Sequence, residues 1–393
     1  MAKGLASLGH EIHVVTGFPN YPHGEIYPGY KVRPYMRELL DGVTIHRGPL
    51  YPSHDGNPVR RISNYLSFSA GAIPTSFRVP TPDVWLTNCT PATVAAPAML
   101  QNAVRQTPHA QIIQDLWPDS FTGSGFVTGR TSWAMSAAIS RFCQLSYRLS
   151  DSIGVISPKM IDLLSARGVP RNKLSYVPNS IDDSHLHPSA RCDESLKRKL
   201  RLPSGRIFMY AGNFGKLQSL PSLISAFTKT PDAQLVLVGG GVEEELMRQR
   251  AVGAPNIHFV PRQPLDKIGE YIAASDVQIV SLADTPLLRV TMPSKVQAAL
   301  AAGRPIFAHA MGDAADVVTD SQVGIAANSA DQAETVAAIQ KLLTLSSQEL
   351  SEMGSRARKL YEDEYSLKAG ALRLESFLEA TIKSRSTRPH HDH

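Results

Sequence analysis

The sequence predicts an α/β protein made of two doubly wound, parallel-sheet units. Three observations carry this. The chain has 393 residues, more than a single hydrophobic core ordinarily serves. Short β-rich runs alternate with helix-length segments from one end to the other, as in strands joined by helical crossovers. The runs fall into two sets, separated by the polar stretch His185–Arg201, which carries Pro188. The expected division is residues 1–190 and 191–365, followed by a helix at 366–383 and a polar, disordered tail at 384–393.

Strands are expected at Glu11–Thr16, Val43–Arg47, Asp83–Thr87, Ala110–Gln114, Ser152–Ile156 and Leu174–Val177 in the first half. In the second half they are expected at Arg206–Ala211, Gln234–Val238, Asn256–Val260, Val277–Ser281, Pro305–Ala308 and Val323–Ala326. Helical patterns lie between them, among them Leu220–Thr228, Val242–Arg250, Pro264–Ala274 and Pro293–Ala302.

Composition narrows the function. Hydrophobic residues make up 42% and charged residues 19%, the balance of a soluble globular enzyme. The net charge of +5 suits an anionic partner such as a nucleotide sugar, a lipid pyrophosphate, an anionic bilayer or nucleic acid, although a chain this long carries such a charge without any of them. No nucleic-acid-binding module is recognisable, so nucleic acid is not an expected partner. No apolar run reaches the roughly 18 residues that cross a bilayer. Cys89, Cys143 and Cys192 lie too far apart for a zinc site or a disulfide framework, which predicts a reducing compartment and no metal.

Three segments carry candidate chemistry. In Tyr210-Ala-Gly-Asn-Phe-Gly-Lys a buried strand ends in Gly212-x-x-Gly215 and a helix follows. Such glycines let a ligand approach the backbone, amides at the helix start can face phosphate, and Lys216 adds a cation. A tight turn with no ligand would read the same way. In Thr291-Met-Pro-Ser-Lys-Val-Gln, Thr291 or Ser294 is expected to cap a helix, with Pro293 near its first turn. Lys295 then opposes the helix dipole, and a bound diphosphate would compensate it. An ordinary helix with an exposed lysine is the alternative. In Ile113-Gln-Asp-Leu-Trp-Pro-Asp-Ser a strand delivers Asp115 and Asp119 to its C-terminal end, where open α/β sheets bind ligands. Helix capping by these aspartates, with Trp117 in the core, is the bland reading.

Weaker signals surround these. The loop Gly17-Phe-Pro-Asn-Tyr-Pro-His-Gly follows a strand and can line an acceptor site, with His23 in it. Arg60–Ser69, ahead of the apolar Ala70–Phe77, and Arg130–Arg148 are basic and amphipathic, a pattern that suits either an anionic membrane surface or the protein's own core. His390, His391 and His393 suit a frayed terminus better than a metal site.

In order along the chain, Pro-Asn-Tyr-Pro-x-Gly, Asp-Leu-Trp-Pro-Asp-Ser, Gly-Asn-Phe-Gly-x-x-Gln, Leu-Val-Gly-Gly-Gly and Pro-Ser-Lys-x-x-x-x-Leu-Ala-x-Gly-Arg-Pro resemble family 4 glycosyltransferases of the GT-B type. The likeness is greatest to bacterial surface-polysaccharide enzymes, such as colanic-acid and O-antigen fucosyl or N-acetylfucosaminyl transferases. It implies two Rossmann-like domains facing across a cleft and retention of anomeric configuration. It implies a nucleotide-diphosphate sugar, UDP-linked by preference, as donor substrate, with no cofactor and no metal. It implies a lipid-linked saccharide acceptor, and an enzyme that is cytoplasmic and peripheral at the inner face of the cell membrane. By position it assigns Gly212, Asn213, Gly215, Lys216, Thr291, Pro293, Ser294, Lys295 and Gln297 to donor binding. Arg262 falls beside the nucleotide base, and Asp115 and Asp119 fall in the catalytic region of the N-terminal domain.

The sequence also departs from that family. Two glutamates eight positions apart are usual near the donor sugar, and here those positions hold Val290 and Ala298, with Gln297 one residue out of register. Gln218-Ser219 replaces a usual Lys-Gly. A non-catalytic sugar-nucleotide-binding relative and a nucleotide-sugar 2-epimerase are therefore the alternatives. Lys3–Gly9 reads as the back half of a helix running into the strand Glu11–Thr16, so the first strand and glycine-rich loop of the N-terminal domain, roughly 15–25 residues, are expected to be missing.

Overall fold

A computed structural model of the chain describes residues 1–21, 24–53, 58–120, 130–186, 188 and 193–386; the expectations for His23 and for 387–393 lie outside the described residues. Two compact units emerge. The first comprises residues 1–156, 160–177 and 370–393, and the second 157–159 and 178–369. The division thus falls at Val177–Pro178, ahead of the expected 190/191. The reason is tertiary. Ile181 bridges Ser366, its N–H donates to the Tyr365 carbonyl at 3.1 Å, and Tyr361 Oη donates to the Ile181 carbonyl at 3.0 Å. These bonds and the packing of Ile181 and Leu186 on the second core tie 178–186 to the second unit.

The second unit is a doubly wound sheet. Its strands are β8 (Ile207–Asn213), β9 (Gln234–Gly240), β10 (Ile257–Pro261), β11 (Val277–Ser281), β12 (Ile306–His309) and β13 (Gly324–Ala327). They lie in the order β10-β9-β8-β11-β12-β13, all parallel. The order reverses between β8 and β11, and ligands of such sheets bind outside the strand ends at that point. Helices cover both faces, so the strands read as apolar runs. Ile279 and Phe307 pack on one side with Leu223, Phe227 and Ile339. Val280 and Ala308 pack on the other with Val296 and Leu300.

The first unit holds two sheets. One contains β1 (His13–Thr16), β2 (Met36–Leu40) and β3 (Val43–Arg47) in the order β1-β3-β2. The other contains β4 (Trp85–Cys89), β5 (His109–Ile113), β6 (Ser152–Val155) and β7 (Leu174–Tyr176), in that order and all parallel. β2 was not expected. It runs antiparallel to β3 through a turn at Asp41-Gly42, where φ is +51° and +77°. Such a turn needs positive φ at both central residues, which Asp-Gly supplies.

One edge of β1 and one of β4 are open among the described residues. Bonds from Thr44 N–H to the Ile12 carbonyl and from Gly48 N–H to the Thr16 carbonyl show that Ile12, Val14 and Thr16 face β3. His13 and Val15 therefore point their backbone groups the other way. In β4, Trp85 bonds towards β5, so Leu86 and Asn88 turn to the outer edge. All four residues of β1 are only half-buried.

The helix Leu367–Ser386 returns to the first unit from Gly370 onward. Near its end, Arg385 donates at 3.2 Å to Asp151, whose side chain is fully buried. The same carboxylate accepts from the His109 N–H at 2.9 Å and from Asn102 Nδ2 at 3.0 Å. Regular helix through Ser386 replaces the disordered start expected for the tail at 384.

Candidate active site

The second unit brings Gly212 and Lys295 together. Gly212 lies near the end of β8, with φ at +147°, a region that disfavours any Cβ. A Cβ there would stand 2.7 Å from both Cε and Nζ of Lys295. The missing side chain is therefore what lets the lysine lie across the end of the strand. Its Nζ sits 5.1 Å from the centroid of the Tyr210 ring. Burial holds its ammonium below the ordinary lysine range. No carboxylate among the described residues pairs with it.

The helix bearing Lys295 runs from Ser294 to Ala301. The expected cap is corrected here: Pro293 is the N-cap residue, with no side-chain cap bond, and Ser294 is the first helical residue and exposed. Thr291 instead donates from Oγ1 to the Leu287 carbonyl at 2.9 Å, closing the preceding short helix. The first-turn amides of Ser294 and Lys295 are thus left without a side-chain acceptor. Gln297 is buried, and its Oε1 has no partner among the described residues.

The glycine turn lies beside this helix start in the sheet order. Asn213 is exposed, and its carbonyl accepts from Tyr210 Oη at 2.9 Å. A Cβ on Gly215 would meet Asn213 Nδ2 and Gln218 Oε1 at 2.8 Å each. Lys216 is exposed in a single 3₁₀ turn, Lys216–Gln218, ahead of the helix Leu220–Phe227. Arg262, also exposed, follows the end of β10. In the sheet order β9 separates β10 from β8, which carries the glycine turn. Val290, at a position where the resemblance has a glutamate, is buried, and its carbonyl accepts from Ser157 Oγ at 2.6 Å.

In the first unit, the two aspartates separate. Asp115 is exposed just past β5 and accepts from Thr90 Oγ1 at 3.2 Å. Asp119 is held by Arg167 through two bonds, of 2.7 and 2.9 Å. A bidentate pair of this kind fixes the carboxylate and occupies its lone pairs. Asp115 borders a small pocket of about 10 Å³, room for about one water, with Cys89, Gln111, Trp117, Cys143 and Tyr147. Burial pushes the Cys89 thiol up to about 12 and the Cys143 thiol up to about 11, so neither is a thiolate nucleophile at neutral pH. Among the described residues no cluster of three or more His, Cys, Asp and Glu is arranged to hold a metal.

The sequence reading missed Tyr210, which underlies Lys295, and His309 and Ser281, which support the glycine turn. Only the strand register places these residues together.

Two family models match the chain. The model for glycosyl transferase 4-like domains matches residues 1–180, and that for group 1 glycosyl transferases matches residues 205–345. The chain belongs to the GT-B glycosyltransferases. It is similar to WcaI of Escherichia coli K12, named for colanic acid biosynthesis, with 26% identity over 77% of this chain and 76% of that one. It is also similar to a GDP-mannose-dependent alpha-mannosyltransferase of Mycobacterium tuberculosis, with 25% identity over 82% of this chain and 76% of that one. Among solved structures, sucrose-phosphate synthase of Thermosynechococcus elongatus shares the fold, with a TM-score of 0.74 at 17% identity over 98% of this chain and 92% of that one. HepE of Anabaena, solved with UDP, has a TM-score of 0.64 at 14% identity over 81% of this chain and 83% of that one.

Proposed function

We propose that this glycosyltransferase moves a sugar from a nucleotide-diphosphate donor, UDP-linked by preference, to a lipid-linked saccharide in surface-polysaccharide synthesis, with retention of configuration. One observation carries the donor reading: the half-buried Lys295 ammonium, unpaired among the described residues, beside Gly212, at the start of a helix and at the reversal point of the sheet. A diphosphate there would accept from that ammonium and from the first-turn amides of the helix. Asn213, Gly215, Lys216, Thr291, Pro293, Ser294 and Gln297 form the surrounding donor site, and Arg262 borders the base. HepE, solved with UDP and with UDP-glucose, supports the choice of UDP. The GDP-mannose-dependent relative makes GDP the comparison arm.

Asp115 serves the acceptor side, where an open carboxylate orients the attacking hydroxyl or stabilises positive charge on the donor sugar. Asp119, through Arg167, holds the segment that carries Asp115.

The acceptor reading places the protein in the cytoplasm, against the inner membrane face. No described helix is long and apolar enough to cross a membrane. The helix Arg130–Leu149 exposes Leu145 and Leu149 beside Arg141 and Arg148, and the helix Pro58–Ser76 exposes Val59 and Leu66 beside Arg60. Such surfaces suit anionic headgroups.

The test is a thermal-shift panel of UDP, GDP, UDP-sugars and GDP-sugars, followed by transfer of labelled sugar to lipid-linked saccharides. Stabilisation by a nucleoside diphosphate together with transfer is expected. Stabilisation without transfer to any saccharide would instead favour a sugar-nucleotide-binding protein, the reading that Val290 and Ala298 suggest. No shift with any nucleotide would refute the donor site.

A further inference from the structure

Behind the glycine turn lies a buried polar relay across two strand ends. His309, the last residue of β12, and Ser281, the last of β11, are register partners and both fully buried. His309 Nδ1 lies 2.8 Å from Ser281 Oγ, and Ser281 Oγ lies 2.5 Å from the carbonyl of Gln218. The directions of these bonds follow from chemistry. A carbonyl only accepts, so the serine hydroxyl donates its single proton to Gln218. Ser281 then has only lone pairs for the histidine, and Nδ1 must carry the proton. Nε2 is left as a bare acceptor, buried, with no partner among the described residues. Burial also holds the imidazole down at about 4, so it is neutral and keeps this tautomer at neutral pH.

The relay fixes a peptide plane. In a trans peptide the C=O and the following N–H point in opposite directions. Drawing the Gln218 carbonyl back onto β11 therefore turns the Ser219 N–H away from the sheet. That amide has no backbone acceptor among the described residues. A second bond, from Ala283 N–H to the Leu217 carbonyl at 2.8 Å, anchors the adjacent peptide. Ser219 itself has φ at +48°, a conformation that a non-glycine residue does not hold without support. A glycine turn held this way presents a preset donor to an anion, with no ordering cost on binding.

We propose that His309 is a positioning residue for the donor nucleotide, acting through Ser281 to hold the Gln218–Ser219 peptide with its N–H towards the diphosphate. This rests on the reading of the glycine turn as the donor site. His309 touches no substrate in this account.

The test uses the full chain, UDP calorimetry and donor kinetics. The parent must first bind UDP. If it does not, the donor reading fails, and the relay is then judged by hydrogen exchange at Ser219 alone. His309→Leu is expected to weaken UDP binding about tenfold and to raise the donor KM by a similar factor, with kcat within twofold. Ser281→Ala should do the same, and the double variant should be no worse than either single one, because both break one chain. His309→Asn, whose amide nitrogen can stand near the position of Nδ1, should recover most of the affinity, and His309→Gln should not. Exchange at the Ser219 amide should change in His309→Leu and return towards the parent in His309→Asn. UDP affinity unchanged in His309→Leu, additive losses in the double variant, or equal behaviour of the Asn and Gln variants would overturn the proposal. Should His309→Leu not fold, Ser281→Ala carries the same comparison.

Discussion

Replacing Lys295 by methionine should have opposite effects on the fold and on the ligand. Burial holds the ammonium below its ordinary value of 10.5 in the folded chain. The unfolded chain therefore binds more protons than the folded one between the folded value and 10.5, and stability rises with pH across that window. Below the window the folded state carries the full cost of a poorly solvated charge. Methionine keeps most of the length and removes the charge, so without nucleotide Lys295→Met should melt higher than the parent at pH 7. That difference should shrink as pH climbs towards 10.5. Binding should move the other way. A hydrogen bond to a charged group contributes about 1.5–3 kcal/mol, so losing it should weaken UDP binding about 10- to 150-fold. Differential scanning fluorimetry from pH 7 to 10.5 reads the first effect, and isothermal titration calorimetry with UDP reads the second. A variant that binds UDP within threefold of the parent would refute the assignment. A variant that melts lower would show that the lysine serves the fold, through the Tyr210 ring.

Three further outcomes are expected. Asp115→Asn should leave UDP affinity within about twofold while lowering sugar transfer by tenfold or more, read by calorimetry and product formation; transfer at the parent rate would remove Asp115 from the chemistry. Arg141→Glu with Arg148→Glu should abolish flotation with anionic vesicles at low salt, whereas the parent should float and be released by salt; equal flotation of both would exclude that helix face. In hydrogen exchange followed by NMR, His13 and Val15 should exchange at least about tenfold faster than Val14 and Thr16, because only the latter pair bonds to β3; equal protection would show that the outer edge of β1 is covered.

Much of the fold was legible because parallel strands buried on both faces leave continuous apolar runs. Val277–Ser281, buried at every position, matches its strand residue for residue; Val43–Arg47 also matches, although it lies in a mixed sheet and is not an apolar run. The β2 hairpin was not, although Asp41-Gly42 is a strong turn signal. Met36-Arg-Glu-Leu-Leu lacks clean alternation, since both Leu39 and Leu40 are exposed. The domain boundary was misplaced for a related reason. A polar stretch shows only where a sequence is poor in core residues, whereas the division is set by what residues 178–186 pack against, and their partners lie far along the sequence at Tyr361, Tyr365 and Ser366.

The candidate site divides along the same line. Lys295 stood out in the sequence because a lysine in a helix's first turn opposes the dipole, a conflict visible within one turn. Asp115 and Asp119 looked equivalent because nothing near them names Arg167, 48 residues beyond Asp119. Tyr210 looked like an ordinary core residue, and the lysine above it supplies the sharpest test of purpose. A cation over an aromatic face gains about 0.5–2 kcal/mol, which offsets part of the desolvation of the ammonium. If that contact were the reason for the lysine, the ring alone would hold it, whereas the ammonium also lies at the strand end, in the space left by Gly212, whose φ of +147° itself disfavours a Cβ. The missing Cβ at Gly212 keeps the ammonium at the edge of the sheet, next to the free amides of the helix Ser294–Ala301. Gly212→Ala would press on the ammonium at the 2.7 Å contact and would also strain the backbone at a φ of +147°, so it is read in both the parent and the Lys295→Met background. If the lysine serves a ligand, that variant should lose UDP affinity as Lys295→Met does, and combining the two should cost little more than either alone.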